Sequence, residues 1–347
     1  MVRIDFKSEE ALMITGGCGF IGSAVVRHFA ATFPRLKIYV LDKLDYCASL
    51  ENLKEVLDSS YVTFIQGDVC SPDLVNHLLS SLNIKYILHF AAQTHVDNSF
   101  GNSFTFTHNN VMGTHVLLEA AKNMGDKLKL FLHVSTDEVY GESKDGAHEI
   151  AFRETSVLEP TNPYAATKCA AEQLVKAYYR SFNLPVVITR GNNVYGPGQF
   201  PEKLIPKFMS QVQRGLKMTV HGDGSALRNY MYITDCARAF ETVVRCGEIG
   251  HIYNLGGNSE VSVMEVARDI ALLSGTEDVD SCIEHHPDRA FNDQRYFIDC
   301  TKLKDMGWSS QVEWKEGLQT TYEWYQKDRS NYWKTAVSKV LSAHPTL

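Results

Sequence analysis

No uninterrupted apolar stretch in this 347-residue sequence approaches the roughly 20 residues that a membrane-crossing helix needs, so no membrane span is expected. The opening MVRIDFKSEEALMITGG carries charges through its first ten residues and lacks the apolar core of a secretory leader. None of the eight cysteines stands in C-x-x-C spacing with another. That argues against a zinc site or a disulfide framework and fits a reducing cytoplasm. There is no long basic run, and the formal net charge is −7, so nucleic acid is not expected as the main partner. Internal repeats, linkers and low-complexity tracts are also missing.

What is present is ordinary for a globular protein: 44% apolar and 22% charged residues, with enough chain for one large or two modest domains. Apolar runs at 11–15, 37–42, 62–68, 86–92, 130–136 and 186–190 read as strands. Helical patterns fall between them: Ile21 to about Thr32, SPDLVNHLLSSL, NVMGTHVLLEAAKNM, and a helix beginning near Tyr164. This alternation predicts an α/β fold with a parallel sheet covered on both faces. After Arg190 the rhythm changes. GNNVYGPGQFPEKLIPKF reads as loop then helix, LKMTVHGDGSALRNYMYITD as strand, turn and strand, and IYNLGG as one more strand. The remainder reads as short helices and loops.

TGGCGFIGS follows the first strand, with Gly16, Gly19 and Gly22 spaced three apart. Glycine permits a tight turn and close approach to phosphate, and the helix N-terminus behind it offers free N–H groups. Asp42 closes the second strand, 20 residues past Gly22, where a carboxylate bonds a ribose 2′-hydroxyl and repels a 2′-phosphate. The pattern predicts a dinucleotide site for NAD rather than NADP. Asp68 ends the third strand and is a candidate neighbour of the adenine, or a turn residue.

Tyr164 and Lys168 lie four apart in NPYAATK, on one helix face. A nearby ammonium and a cationic nicotinamide both favour phenolate, so the tyrosine is expected to act as a base nearer neutral pH. STDEVYG places Thr136, Asp137 and Glu138 at the end of a buried strand.

Together TGGCGFIGS, HFAAQTHVDNS, STDEVYG, NPYAATK and YGPGQFPEKLIPKF resemble the extended short-chain dehydrogenase/reductases, and more narrowly the nucleotide-sugar 4,6-dehydratases that act on dTDP-glucose or UDP-glucose. The resemblance runs from about Met13 to Tyr325. It implies a Rossmann-type doubly wound sheet, residues 11–190 plus about 230–258, with a smaller mixed α/β C-terminal domain from 191–229 and 259–330. It implies Tyr164 as the base for the carbon-4 hydroxyl, tuned by Lys168, with Thr136 orienting that oxygen. Glu138 would take the carbon-5 proton, and Asp137 would protonate the departing carbon-6 hydroxyl. Asp137 must then hold its proton near pH 7 through burial or its neighbour's charge, and the two acids should titrate as a pair. The NAD site would comprise Gly16, Gly19, Phe20, Ile21, Gly22, Asp42, Lys43, Asp68, Val69, Ala91 and Ala92 besides Tyr164 and Lys168. The sugar nucleotide would meet Thr136, Asn193, Lys203, Leu204, His221, Arg228 and Arg289.

His221, in Thr219-Val220-His221-Gly222, stands where bacterial dTDP-glucose enzymes tend to carry a base-stacking tyrosine, which leaves thymine and uracil both open. TRGNNVYGP looks more like the eukaryotic-type enzymes, including plant ones that use UDP-glucose. The family also implies a homodimer formed by the helices around 104–124 and 164–183 as a four-helix bundle. His95 is either a substrate contact or a structural histidine, and Asp293 with Arg295 either a structural pair or ligand contacts. His285 and His286 read as a solvated loop, and Trp308, Trp314 and Trp324 as packing. Two other functions stay open: a sugar epimerase or decarboxylase, which needs neither Asp137 nor Glu138, and a non-catalytic NAD-binding regulator.

Overall fold

The computed structural model describes residues 4–7, 10–143, 151–276, 278–288, 293–327, 329 and 331–342. Strands β1 (Ala11–Thr15), β2 (Lys37–Asp42), β3 (Val62–Gln66), β4 (Ile84–His89), β5 (Leu130–Thr136) and β6 (Val186–Gly191) join β10 (Ile252–Leu255) in a seven-stranded sheet ordered β10-β6-β5-β4-β1-β2-β3. Every pairing in it is parallel. The order reverses between β1 and β4, and a ligand crevice opens there at the carboxyl ends of the strands.

Side chains alternate across the sheet. Leu12 and Ile14 enter one core with Val25 and Phe29 of the helix Phe20–Thr32 and Phe240 and Val243 of the helix Ile233–Cys246. Ala11 and Met13 enter the opposite core with Leu78, Leu117 and Val175, from the helices Pro72–Ser81, Gly113–Lys122 and Pro163–Phe182. The last of these starts where Asn162 Oδ1 accepts from the Ala165 N–H at 2.8 Å, with Pro163 in the first turn. It stops at Asn183, which has φ of 55°. Ahead of the helix Gly113–Lys122, residues Thr107–Met112 form a π-helical stretch.

The remaining strands make two small sheets. β9 (Leu227–Tyr232) lies between β7 (Asn193–Tyr195) and β11 (Ser259–Ser262), and β8 (Met218–His221) pairs with β12 (Ile283–His286). The expected strand, turn and strand at 218–232 is therefore no hairpin: its halves belong to different sheets. β7, β11 and β12 run only three or four residues, too short for a readable period of two. His285 and His286 lie in β12 rather than in a loop. The fourth strand ends at His89, because Phe90 and Ala91 bend to cover the end of β1 through Thr15. Trp308 is buried, and its indole N–H donates to the Asp235 carbonyl at 3.1 Å.

One buried network ties these parts together. Arg190 at the end of β6 forks onto Glu172 (Nε to Oε1 3.0 Å, Nη2 to Oε2 2.7 Å) with side chains 1% and 0% exposed. Arg190 also donates to the Tyr140 hydroxyl at 2.8 Å, which donates to Asn254 Oδ1 of β10 at 2.7 Å. Removing one partner of such a pair leaves an uncompensated buried charge. Arg190→Met is thus expected to lower the unfolding free energy by about 3–5 kcal/mol, read from the urea midpoint. Adding Glu172→Leu should recover most of the loss. A single-variant loss below about 1 kcal/mol would mean that the pair behaves as a surface ion pair.

Candidate active site

Gly16 follows β1 with φ of 69°. A Cβ there would lie 2.6 Å from the Ala91 nitrogen, and one on Gly22 would lie 2.3 Å from the Gly16 oxygen. The loop is thus pressed between the 90–92 bend and the first turn of its helix, and side chains would fill that cradle. Gly19 is the N-cap of the helix Phe20–Thr32, and no side chain caps it. The first-turn N–H groups are therefore available to an anion. These features fit a dinucleotide pyrophosphate.

Asp42 is buried. Its Oδ2 accepts from the Cys18 N–H at 2.9 Å and its Oδ1 from the Leu44 N–H at 2.8 Å. Burial lifts its pKa, and those peptide donors pull the other way. Lys43 Nζ donates to Asn109 Oδ1 at 2.6 Å and lies 3.3 Å from Asp45 and 3.8 Å from Asp68. Asp68 Oδ1 accepts from the Cys70 N–H.

Gly16, Gly19, Gly22, Asp42, Lys43, Asp45, Asp68 and Asn109 line one cavity of about 330 Å³, with Phe20, Ile21, Val69, Ala91 and Ala92. Thr136, Asp137, Glu138, Tyr164 and Lys168 line the same cavity. β5 ends at Thr136, whose hydroxyl caps the tight turn Asp137–Tyr140 by accepting from the Glu138 N–H at 3.3 Å. Asp137 is buried: Oδ1 accepts from Thr136 Oγ1 at 3.1 Å and Oδ2 from Asn192 Nδ2 at 2.5 Å. Burial first, and the Glu138 carboxylate second, push its pKa up to about 7. Glu138 is half-buried and held by Asn162 Nδ2 at 2.9 Å. Burial raises its pKa also, while Asn162, Lys203 and Arg228 oppose the shift.

Lys168 Nζ donates to the Val134 carbonyl at 2.6 Å, and burial draws its pKa down to about 8. Tyr164 departs from expectation: its pKa is raised, by burial and then by the Glu138 charge. The expectation weighed the ammonium and a bound cationic nicotinamide, and burial beside two carboxylates works against both.

A second cavity of about 170 Å³ adjoins the first and shares Glu138, Asn193, Glu202, Lys203 and Leu204 with it. His221 and Arg228 line the second cavity only. Lys203 Nζ donates to the Thr94 carbonyl at 2.7 Å. Arg228 stacks 4.8 Å from the centre of the Tyr296 ring and donates to the Asp293 carbonyl at 2.7 Å. Arg289 lies outside the described residues. His95 is buried in this cavity's wall, Nδ1 3.9 Å from Glu202 and Nε2 3.9 Å from Asp97. Asp293 and Arg295 do not pair with each other: Arg295 forks onto Glu260, and Asp293 accepts from Thr161 and Tyr296.

Sequence reasoning chose Asn193 and missed Asn192, which holds Asp137. Nothing in the Asn192-Asn193 doublet distinguishes them. Asn162 was missed too, although an Asn-Pro step ahead of a helix is the signal that marks a cap, and Glu202 stood beside the chosen Lys203. Among the described residues, no cluster of three or more metal-ligating side chains occurs, and no helix is long and apolar enough to cross a membrane.

The family model described as GDP-mannose 4,6 dehydratase matches residues 13–321. A trifunctional UDP-glucose 4,6-dehydratase/UDP-4-keto-6-deoxy-D-glucose 3,5-epimerase/UDP-4-keto-L-rhamnose-reductase of Arabidopsis thaliana is 53% identical over 97% of this chain, which spans about half (50%) of that protein's length. The dTDP-D-glucose 4,6-dehydratase of Mus musculus is 46% identical over 96% of this chain and 93% of its own. Among solved structures, the dTDP-glucose 4,6-dehydratase of Streptomyces venezuelae, crystallised with NAD, superposes with a TM-score of 0.87 at 36% identity, over 93% of this chain and 99% of that one. With the seven-stranded parallel sheet, these matches establish that the chain belongs to the GDP-mannose 4,6 dehydratase family, among the nucleotide-sugar 4,6-dehydratases of the extended short-chain dehydrogenase/reductases.

Proposed function

We propose that this chain is a nucleoside-diphosphate-glucose 4,6-dehydratase working through bound NAD, which converts UDP-glucose or dTDP-glucose to the 4-keto-6-deoxy sugar. One observation carries the reading. Glu138 lines both cavities, and Asp137 and Tyr164 line the dinucleotide cavity beside it. Residues 11–190 and about 230–258 would serve as the dinucleotide half, and 191–229 with 259–330 as the sugar-nucleotide half. Gly16, Gly19, Phe20, Ile21 and Gly22 would hold the pyrophosphate, Asp42 the ribose, and Lys43, Asp68 and Val69 the adenosine end. Asn193, Lys203, Leu204, His221 and Arg228 would hold the sugar nucleotide.

Bound NAD supplies the hydride acceptor for carbon 4 and the donor for carbon 6. With NAD bound, the cationic nicotinamide and the Lys168 ammonium would offset the burial that raises the Tyr164 pKa and favour its phenolate, whose Oη then takes the carbon-4 hydroxyl proton while Thr136 orients the oxygen. The carbon-5 hydrogen then becomes acidic, because its carbanion is an enolate of the new ketone. Glu138 takes that proton. Asp137, still protonated near neutral pH, gives its proton to the carbon-6 oxygen, which leaves as water. Glu138 gives its proton back to carbon 5 when carbon 6 takes the hydride, so the net change is the loss of one water. An epimerase has no use for the acid pair, and a binding module has none for the tyrosine and lysine either.

A cytoplasmic location accords with eight free cysteines. A homodimer through the two long helices accords with the exposed Phe104 (88%) and Phe182 (51%). Sedimentation should then give the mass of two chains, and a single-chain mass would refute the bundle.

Incubation with UDP-glucose and dTDP-glucose separately should yield product lighter by one water. Unchanged mass would favour epimerisation. Glu138→Gln should abolish that product, about 100-fold or more, while still allowing the absorbance of reduced nicotinamide to rise. Normal turnover by this variant would remove Glu138 from the mechanism.

Asp137 also makes stability depend on pH. Its folded pKa stands above the unfolded value of about 4, so the folded state binds the proton more tightly. Its contribution is fully present below the unfolded pKa and is lost as pH rises through about 7. Cofactor-free Asp137→Asn should melt above the unsubstituted protein at pH 8, with the gap closing toward pH 4. Equal melting temperatures at both pH values would contradict this burial penalty.

A further inference from the structure

The family match ends at residue 321, yet residues 331–342 pack back across the molecule. Trp333, Val337, Val340 and Leu341 are buried. The Leu341 carbonyl accepts from Gln211 Nε2 at 2.7 Å, on the helix Leu204–Val212 that begins at the second cavity. Trp333 meets Phe200 edge-on at 5.4 Å, and Phe200 meets Tyr46 at 5.6 Å. At its other end the segment reaches the loop after β2. Ser49 Oγ donates to the Tyr332 carbonyl, and Lys334 Nζ lies 3.4 Å from the Leu44 carbonyl.

The junction of these contacts is the side chain of Asn52, which is buried. Its Oδ1 accepts from the Tyr332 hydroxyl at 2.8 Å, and its Nδ2 donates to the Cys18 carbonyl at 2.9 Å. That carbonyl also accepts from the Ser49 N–H at 3.0 Å. Cys18 sits inside the glycine loop, and its N–H donates to Asp42. A single chain of hydrogen bonds thus runs Tyr332–Asn52–Cys18–Asp42, from a segment outside the dinucleotide fold to the acid beside the ribose position. There is little slack at the junction. A Cβ on Gly198 would lie 2.8 Å from Asn52 Oδ1, and Gly198 has φ of 90°.

We propose that residues 331–342 form a clasp on the cofactor loop, and that Tyr332 is its positioning residue, acting through Asn52 to slow dinucleotide release. The proposal rests on the NAD reading above. Residues 43–48 of the clasped loop line the cavity through Lys43, Asp45, Cys47 and Ala48, so the loop must move for a bound dinucleotide to leave sideways. Each hydrogen bond holding it closed adds to the barrier for that motion. Asn52 cannot relax alone, because turning its amide to satisfy one neighbour breaks the bond to the other. The enzyme regenerates its cofactor within each cycle, so retaining it costs no turnover.

The test uses NAD alone as probe. The full chain is saturated with NAD, desalted rapidly, and NAD appearing in the filtrate is followed over time. In parallel, the urea midpoint of the NAD-stripped protein is measured. Tyr332→Phe, which leaves Asn52 Oδ1 without its donor, should speed NAD release about tenfold. Asn52→Ala should do the same, and the double variant should be no faster than the quicker single, because both remove one chain of bonds. A lowered urea midpoint with unchanged release would reduce Tyr332 to ordinary packing and overturn the clasp. Multiplying effects in the double variant would overturn the route through Asn52. If the unsubstituted protein itself retains no NAD, the cofactor reading falls, and the clasp with it.

Discussion

A guanidinium buried to 1% exposure cannot exist without a carboxylate, and the bond from Arg190 to Glu172 is the constraint around which this molecule is built. It joins the last central strand to the helix that carries Tyr164 and Lys168. The same guanidinium holds the Tyr140 hydroxyl, three residues beyond Asp137 and two beyond Glu138. The strand, the helix of Tyr164 and Lys168, and the acidic turn therefore share one anchor. Their relative placement is specified by directional bonds, in which a shift of an ångström breaks geometry, rather than by apolar contact alone.

The acidic turn also works against stability. Burial raises the pKa of both adjacent carboxyls, and the Glu138 charge adds to the rise at Asp137. A solvated turn would relieve that tension, and would also lose the raised Asp137 pKa on which the proposed mechanism draws. Thr136 and Asn192 donate to the two oxygens of Asp137, and Asn162 to Oε2 of Glu138, so the pair is held in place while it stays poised. Strain of this kind concentrates where chemistry occurs.

Much of this was legible in advance because it is local. Glycine spacing, an acid at a strand end and a tyrosine four residues before a lysine each state a requirement within one element. The parallel sheet followed from the alternation of patterns, and its ligand crevice followed from the sheet. What stayed hidden depends on distant partners. Nothing near Arg190 announces Glu172 or Asn254. Nothing in TVHG says that β8 will pair with β12 some 65 residues on rather than with its neighbour β9. The rise in the Tyr164 pKa has the same origin: it comes from burial and from Glu138, which lies off its helix.

The π-helical stretch Thr107–Met112 constrains how this helix can change over evolutionary time. Within it Asn109 accepts from Lys43 and Asn110 bridges Gln93 to Thr167, while farther along His115 meets Tyr178 at 3.1 Å. One residue of regular helix is about 100° of rotation. Deleting the extra residue would swing one group of contacts out of phase with the other, so the irregularity behaves as a fixed gear offset between the cofactor side and the helix-pairing side. Changing the length of this segment should therefore cost more than inserting residues in a surface loop.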